Sequence, residues 1–129
     1  MSLRFAGYAA VFDRIDRGGD VVRAGAFARS LKRGAVPLLW QHQPARPIGR
    51  VEYLREDGRG LRVIGRVVDG KAAALLKAGA VSGLSFGYRV RAAKGAEPRE
   101  LTDLELVEVS LVTLPMQPAA RVHMLGSDS

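Results

Sequence analysis

Nucleophilic catalysis needs a nucleophile and a base, and this 129-residue chain offers a serine in a glycine-flanked motif and two histidines. Ser85 lies in GLSFG (83–87), which matches G-x-S-x-G, a pattern in which glycines allow a tight turn and leave the serine hydroxyl exposed. A serine needs a neighbouring base to act as a nucleophile at neutral pH. His42 and His123 are the two histidines of the chain, so one of them is the expected base.

A catalytic histidine also needs an acceptor that holds its tautomer and stabilises its cationic form. Asp103, Glu105 and Glu108 are the candidates in the segment LELVEVSLVTL and just before it. Glu108 stands out because valines flank it within a predicted strand, where an unpaired carboxylate is costly. If that face of the sheet is wet, Glu108 is simply an outward-facing carboxylate.

The order Ser85, Asp103, His123 would also fit the triad order of an α/β-hydrolase. That fold requires a strand, a sharp turn and then a helix at the serine. The segment YRVRAA (88–93) instead predicts that the strand continues, and the chain lacks alternating β and α units. We therefore disfavour the hydrolase interpretation.

The pattern of apolar residues predicts an α+β, mainly β domain that positions these residues. We expect helices at 23–34 and 69–80, a proline-broken loop at PARP (44–47) and a hairpin turn at Asp57. The predicted strands number about seven: 3–13, 36–42, 48–56, 61–69, 83–93, 100–114 and 121–125. Short connections favour a small, mostly antiparallel, closed or partly closed β-barrel with two packed helices. It would span residues 1–125 as one domain, with 126–129 as a frayed tail.

Composition narrows the classes of function. The net charge is +7, although residues 101–129 hold one basic and four acidic residues. The basic residues are scattered singly, without interleaved aromatic residues, which argues against nucleic acid as a specific ligand. The absence of cysteine excludes disulfides and thiolate metal sites, and we predict no metal or cofactor. With no membrane-length apolar run and no signal peptide, we expect a soluble intracellular protein without a membrane partner.

Six segments in order resemble the tailed-phage prohead protease family, which shares the fold of the herpesvirus assemblin protease. They cover nearly the whole chain. The segments are GYAAVFD (7–13), GDVVRAGAFARSL (19–31), LLWQHQPARPIGRV (38–51), GLRV (60–63), GAVSGLSFGYRV (79–90) and LELVEVSLVTLPMQPAA (104–120).

The resemblance implies a serine endopeptidase that works in the host bacterial cytoplasm, inside an assembling procapsid. It implies cleavage of scaffold and capsid protein, and of the protease itself, without a cofactor. Ser85 maps to the nucleophile, His42 to the general base and Glu108 to the third member of the triad. Herpesvirus enzymes use a second histidine there, so Asp103, Glu105 and His123 remain open for that role.

The resemblance also bears on assembly and length. Assemblin-like enzymes often need association to be active, so a homo-oligomer is a further expectation. Members of the family often carry a longer C-terminal region that targets the scaffold. This chain could therefore be a natural short form, a self-processed form or a trimmed one.

Two functions of other classes stay open at this point. The chain could be a non-catalytic, basic β-barrel that binds capsid protein or nucleic acid, in which case Arg62 and Arg66 would matter and Ser85 would not. It could also be a degenerate protease that persists as a capsid-assembly factor. Reactivity of Ser85 separates both from an active protease.

Overall fold

The computed structural model describes residues 2–128 and contains eight strands and two helices. The prediction of a mainly β protein with two helices is confirmed, with β2 as an additional short strand. The elements are β1 (Ser2–Val11), β2 (Asp20–Val22), α1 (Ala28–Leu31), β3 (Pro37–Trp40), β4 (Gln43–Glu56), β5 (Gly60–Val67), α2 (Gly70–Lys77), β6 (Gly83–Lys94), β7 (Arg99–Val112) and β8 (Val122–Asp128).

The strands form one mixed sheet in the order β2-β7-β3-β4-β5-β1-β8, with β6 also paired to β7. The predicted antiparallel barrel is not confirmed. β2 and β3 both run parallel to β7, because the chain reaches each of them by a crossover and not by a short turn. Within residues 2–128, backbone hydrogen bonds link β6 to the β1–β8 end only around the bridge between Gly83 and Arg121. The sheet therefore does not close as a continuous ladder.

Alternation along the strands sends apolar side chains to one side of this sheet. β5 shows it most clearly, because Leu61, Val63 and Val67 are buried while Arg62 and Arg66 are half-buried on the other face. The inward-facing residues of the other strands complete a continuous core. Its largest fully buried side chains are Phe5, Phe27, Leu38, Ile48, Leu61, Leu84, Leu101, Leu104 and Leu111.

The helix predicted at 23–34 is much shorter, since α1 comprises four residues. Gly25 before it has φ +90°, which is outside the helical region. The Glu56 carboxylate accepts the backbone N–H groups of Gly25 and Phe27 at 2.7 and 2.8 Å. A distant strand thus holds this segment as a turn, and the sequence pattern carries no sign of that contact.

The second helix, predicted at 69–80, occupies Gly70–Lys77. Asp69 caps it by accepting the N–H of Ala72 at 2.9 Å, and Gly79 follows its end with φ +78°. No helix within residues 2–128 has the length and apolar character needed to cross a membrane.

The structure confirms the predicted hairpin turn and contradicts the predicted frayed tail. The hairpin at Asp57 is present, and its carboxylate accepts the N–H groups of Arg59 and Gly60. The tail predicted to fray at 126–129 instead belongs to β8 as far as Asp128, where it pairs with β1. Ser129 lies outside the described residues.

Candidate active site

His42 lies in a two-residue turn between β3 and β4. Trp40 pairs directly with Gln43, so Gln41 and His42 form the whole connection, with φ values of 51° and 60°. Two positive φ values are the mark of a type I′ hairpin turn. The loop predicted at PARP (44–47) is therefore wrong, because those residues already belong to β4. Its prolines are accommodated where the β3–β4 register shifts.

This turn is fastened to the end of β7. Gln41 donates its backbone N–H to the carbonyl of Leu111 at 2.9 Å. The Gln41 side chain donates to the Thr113 hydroxyl at 3.2 Å and accepts the Thr113 N–H at 3.3 Å. Because left-handed backbone is unfavourable for residues other than glycine, such contacts are needed to hold the turn in place.

The imidazole of His42 meets the carboxylate of Glu108. Nδ1 of His42 lies 2.5 Å from Oε2 of Glu108. The His42 side chain is 42% exposed while that of Glu108 is 9% exposed, so the pair joins a buried carboxylate to a ring at the surface. The hydrogen bond to Glu108 raises the pKa of His42 above its usual 6.5, although partial burial opposes the shift.

Ser110 completes this network. Its hydroxyl donates to Oε1 of Glu108 at 2.7 Å and accepts the backbone N–H of His42 at 3.1 Å. The segment E-V-S predicts that Glu108 and Ser110 share a face, because side chains two apart on a strand point the same way. Ser110 was not among the predicted site residues, although this spacing is the signal that could have found it.

Ser85 lies on β6, directly opposite Ser110 in the β6–β7 ladder. Side chains of directly opposed residues share a face, with Cβ atoms about 5 Å apart. Ser85 is therefore the cross-strand neighbour of Ser110, which hydrogen-bonds to both His42 and Glu108. Its hydroxyl makes no hydrogen bond to another residue within the described range 2–128, and neither does Nε2 of His42.

The second glycine of GLSFG makes room for the carboxylate. Gly87 faces Glu108 across the ladder, and a Cβ on Gly87 would lie 2.5 Å from Oε2 and 2.9 Å from Cγ of Glu108. The first glycine, Gly83, is equally restricted, because its Cβ would lie 2.7 Å from the carbonyl of Val112. These glycines serve close packing within a strand that continues as predicted, and the sharp strand-to-helix turn of an α/β-hydrolase is absent from β6.

The other candidate acceptors have partners elsewhere. Asp103 lies 3.4 Å from Arg29, and Glu105 pairs with three arginines. His123 stacks on Tyr8 with ring centroids 5.8 Å apart. The structure thus gathers Ser85, His42 and Glu108 around Ser110, and it does not gather the hydrolase order of Ser85, Asp103 and His123. Among the residues described, no group of three or more histidine or carboxylate side chains could hold a metal ion.

Comparison with known proteins places the chain in a family. The model of the caudovirus prohead serine protease family matches residues 1–128. The prohead protease of Enterobacteria phage HK97 is 38% identical over 94 residues, which cover 67% of this chain and 42% of that protein. The chain therefore spans less than half the length of this relative.

Solved structures show the same fold at lower sequence identity. KSHV protease in complex with a hexapeptide phosphonate inhibitor has a TM-score of 0.70 at 14% identity. The match covers 99% of this chain and 66% of the KSHV protease chain. The bacteriophage T4 capsid assembly protease has a TM-score of 0.67 at 16% identity. The match covers 84% of this chain and 80% of the T4 chain. These likenesses confirm the expected assemblin-like fold. Because the family model spans almost the entire chain, the chain belongs to the caudovirus prohead serine protease family.

Proposed function

We propose that this protein is a serine endopeptidase in which Ser85 is the nucleophile, His42 the general base and Glu108 the group that orients His42. The contact between His42 and Glu108 carries the proposal. A carboxylate that accepts the Nδ1–H of an imidazole leaves Nε2 with its lone pair available, which is the tautomer a general base requires. The neighbouring Ser85 hydroxyl and that Nε2 are the two groups of the site without hydrogen bonds in the described chain.

The reaction follows from these roles. Oγ of Ser85 attacks the carbonyl carbon of the scissile peptide bond, and Nε2 of His42 takes the hydroxyl proton. His42 then returns that proton to the nitrogen of the leaving amine, and the C–N bond breaks to give an acyl-enzyme. A water molecule, deprotonated in turn by His42, hydrolyses the ester and restores Ser85. Glu108 stabilises the imidazolium in both halves of the reaction.

Family membership supports the biological part of the proposal. The substrates would be the scaffold and capsid proteins of a tailed phage or a phage-like particle, and the protease itself. Cleavage would take place inside the procapsid in the host cytoplasm. The HK97 relative is a prohead protease, and the T4 structural neighbour is a capsid assembly protease. Association into a homo-oligomer is a further part of the proposal.

A fluorophosphonate probe tests the chemistry without knowledge of the cleavage site. The purified protein is labelled and the modified residue is mapped by mass spectrometry. The set is wild type, Ser85→Ala, His42→Ala and His123→Ala. We expect label on Ser85 that is lost in His42→Ala and retained in His123→Ala. The His123 variant is the matched control because it removes the other histidine of the chain.

Other outcomes would contradict the proposal. Loss of label in His123→Ala, with label retained in His42→Ala, would favour the hydrolase order. Absence of label in wild type, both alone and mixed with capsid and scaffold proteins, would favour a non-catalytic binding module or assembly factor. Label that arises only in the mixture would support a protease activated by assembly.

A further inference from the structure

A basic pocket of about 280 Å³ lies on the outer surface of the sheet. It is lined by Tyr8, Arg59, Arg62, Ala119, Arg121 and His123. Three separate parts of the chain supply these residues, namely β1, the β4–β5 hairpin and the segment that leads into β8. The pocket therefore exists only in the folded protein.

The three guanidinium groups of the pocket have no carboxylate partner. Nine other arginines of the described chain form ion pairs, whereas no carboxylate oxygen of residues 2–128 lies within 4 Å of Arg59, Arg62 or Arg121. The nearby carboxylate of Asp57 is already engaged. It accepts the Tyr8 hydroxyl at 2.5 Å and the N–H groups that close its own turn.

The arginines are held in place by neutral groups. The guanidinium groups of Arg59 and Arg62 lie over the Tyr8 ring, 5.2 and 5.8 Å from its centroid. Arg121 donates to the carbonyl of Pro118 and to the hydroxyl of Ser82 at 3.0 Å each. Ordered guanidinium groups that form no direct ion pair are the arrangement that binds a carboxylate well.

The pocket adjoins the strand that carries Ser85. Arg121 forms the bridge with Gly83, the first residue of β6, and the N–H of Leu84 binds the carbonyl of Ala120 at 2.9 Å. Ser85 follows Gly83 by two residues, so it lies on the same face about 7 Å along the strand. A polypeptide held at Ser85 can therefore reach the pocket with a few residues of extended chain.

We propose that this pocket binds an acidic side chain of the polypeptide substrate, at a position a few residues from the scissile bond. The proposal rests on the proposed function of Ser85. The pocket suits a peptide carboxylate better than a nucleic acid. Arg59, Arg62 and His123 all pack on Tyr8, so its ring is not free to stack on a base. The three pocket arginines also surround one cavity of about 280 Å³, a size that suits a single carboxylate better than a phosphate backbone.

Binding is measured with Ser85→Ala protein, which cannot cleave the probe. The probe is a dye-labelled peptide with four glutamates between glycine–serine flanks, and its partner peptide has glutamines instead. By fluorescence anisotropy at low ionic strength, we expect the glutamate peptide to bind more tightly. Arg62→Gln should weaken its binding about tenfold, the loss expected for one charge-assisted hydrogen bond. Arg59→Gln should weaken it in the same direction.

Lys94→Gln is the control. Lys94 is an exposed lysine at the last position of β6, the opposite end of that strand from Gly83, and it lies outside the pocket. The substitution removes one positive charge, as Arg62→Gln does, and should change binding less than about twofold, as expected for a screened surface charge. Equal weakening by Lys94→Gln and Arg62→Gln would overturn the proposal, because net charge alone would then explain binding.

Two further arms make the test specific. Arg62→Glu should bind a lysine version of the peptide better than the glutamate version, and failure of this reversal would contradict a direct contact. A single-stranded oligonucleotide that displaces the peptide at lower concentration, and loses affinity in Arg62→Gln, would assign the pocket to nucleic acid instead. Fluorophosphonate labelling of Ser85 in wild type is the separate readout of the proposed function. Labelled wild type combined with no preference for the glutamate peptide would overturn the pocket alone, whereas absence of label would overturn the proposed function.

Discussion

The Glu108 carboxylate lies against the backbone of Gly87 on the neighbouring strand, at a distance that leaves no space for a Cβ atom. This contact explains why a glycine follows Ser85 by two residues in a strand that does not turn. Because Gly87 has no side chain, the buried carboxylate of Glu108 can pack against the backbone of β6 and contact His42. The glycine therefore acts on the proposed base through Glu108.

Gly87→Ala should disturb the site without touching Ser85 or His42. The new methyl group would lie 2.5 Å from Oε2 of Glu108, so the carboxylate must move away from His42. We expect a loss of about 1–3 kcal/mol in the free energy of unfolding, as for other overpacked sites. We also expect slower fluorophosphonate labelling of Ser85, followed by mass spectrometry.

Gly126→Ala is the control for that substitution. Gly126 also lies in a strand, but among the described residues other than its chain neighbours no atom lies within 4 Å of the Cβ it would gain. Ser85 in the Gly126→Ala protein should be labelled at the same rate as in wild type. A Gly87→Ala protein that labels as fast as Gly126→Ala would show that the placement of Glu108 against Gly87 has no bearing on reactivity.

Glu108→Gln should change the pH profile of labelling as well as its rate. The reactive form of His42 is neutral, so labelling of wild type should rise as pH increases through the raised pKa of His42. Without the carboxylate, the midpoint should move down towards 6.5 and the plateau should fall by roughly 10²–10⁴-fold. Rates measured across the pH range in both proteins decide this. A lower plateau with an unchanged midpoint would indicate that Glu108 does not set the pKa of His42.

The contact between His42 and Glu108 should also make stability depend on pH. A histidine whose pKa is raised by folding stabilises the protein below its unfolded pKa, and this contribution is lost as pH rises through the folded pKa. The difference in free energy of unfolding between wild type and His42→Ala should therefore be larger just below pH 6.5 than well above the folded pKa. Urea denaturation at both pH values measures it. In a Glu108→Gln background the difference should no longer vary in this way.

Ser110→Ala should show that Ser110 positions the other two residues. The substitution removes the donor to Oε1 of Glu108 and the acceptor of the His42 N–H. We expect a loss of about 1–3 kcal/mol in unfolding free energy, because a buried group loses its partner, together with slower labelling of Ser85. Ser82→Ala is the control, since the Ser82 hydroxyl binds exposed Arg121 instead. Equal stability and labelling in the two variants would contradict the positioning role.

The candidate site was partly predictable because strand periodicity is local. Alternation alone puts Glu108 and Ser110 on one face, and the flanking valines indicate that a carboxylate there needs partners. The segment YRVRAA likewise indicated that the strand continues beyond Ser85. These inferences need neighbouring residues in the chain and nothing else.

The environment of His42 could not be inferred in the same way. The prolines at 44–47 indicate a loop, but this stretch belongs to β4, which pairs with β3 at Gln43 and at Pro47 with a register shift between them. The tight turn at Gln41 and His42 is stabilised through β7, whose paired residues lie about 70 positions further along the chain. The short helix α1 has a similar origin, since Glu56 binds the backbone before it.

By itself, the sequence determined the residue types available for chemistry, the strands that carry Ser85 and Glu108, and the excess of positive charge. Tertiary structure alone decided that the sheet is mixed, that His42 turns towards Glu108 and that Arg59, Arg62 and Arg121 share one pocket. The physical reason is that side-chain alternation is set by neighbours along the chain, whereas strand order and register depend on hydrogen bonds between distant segments.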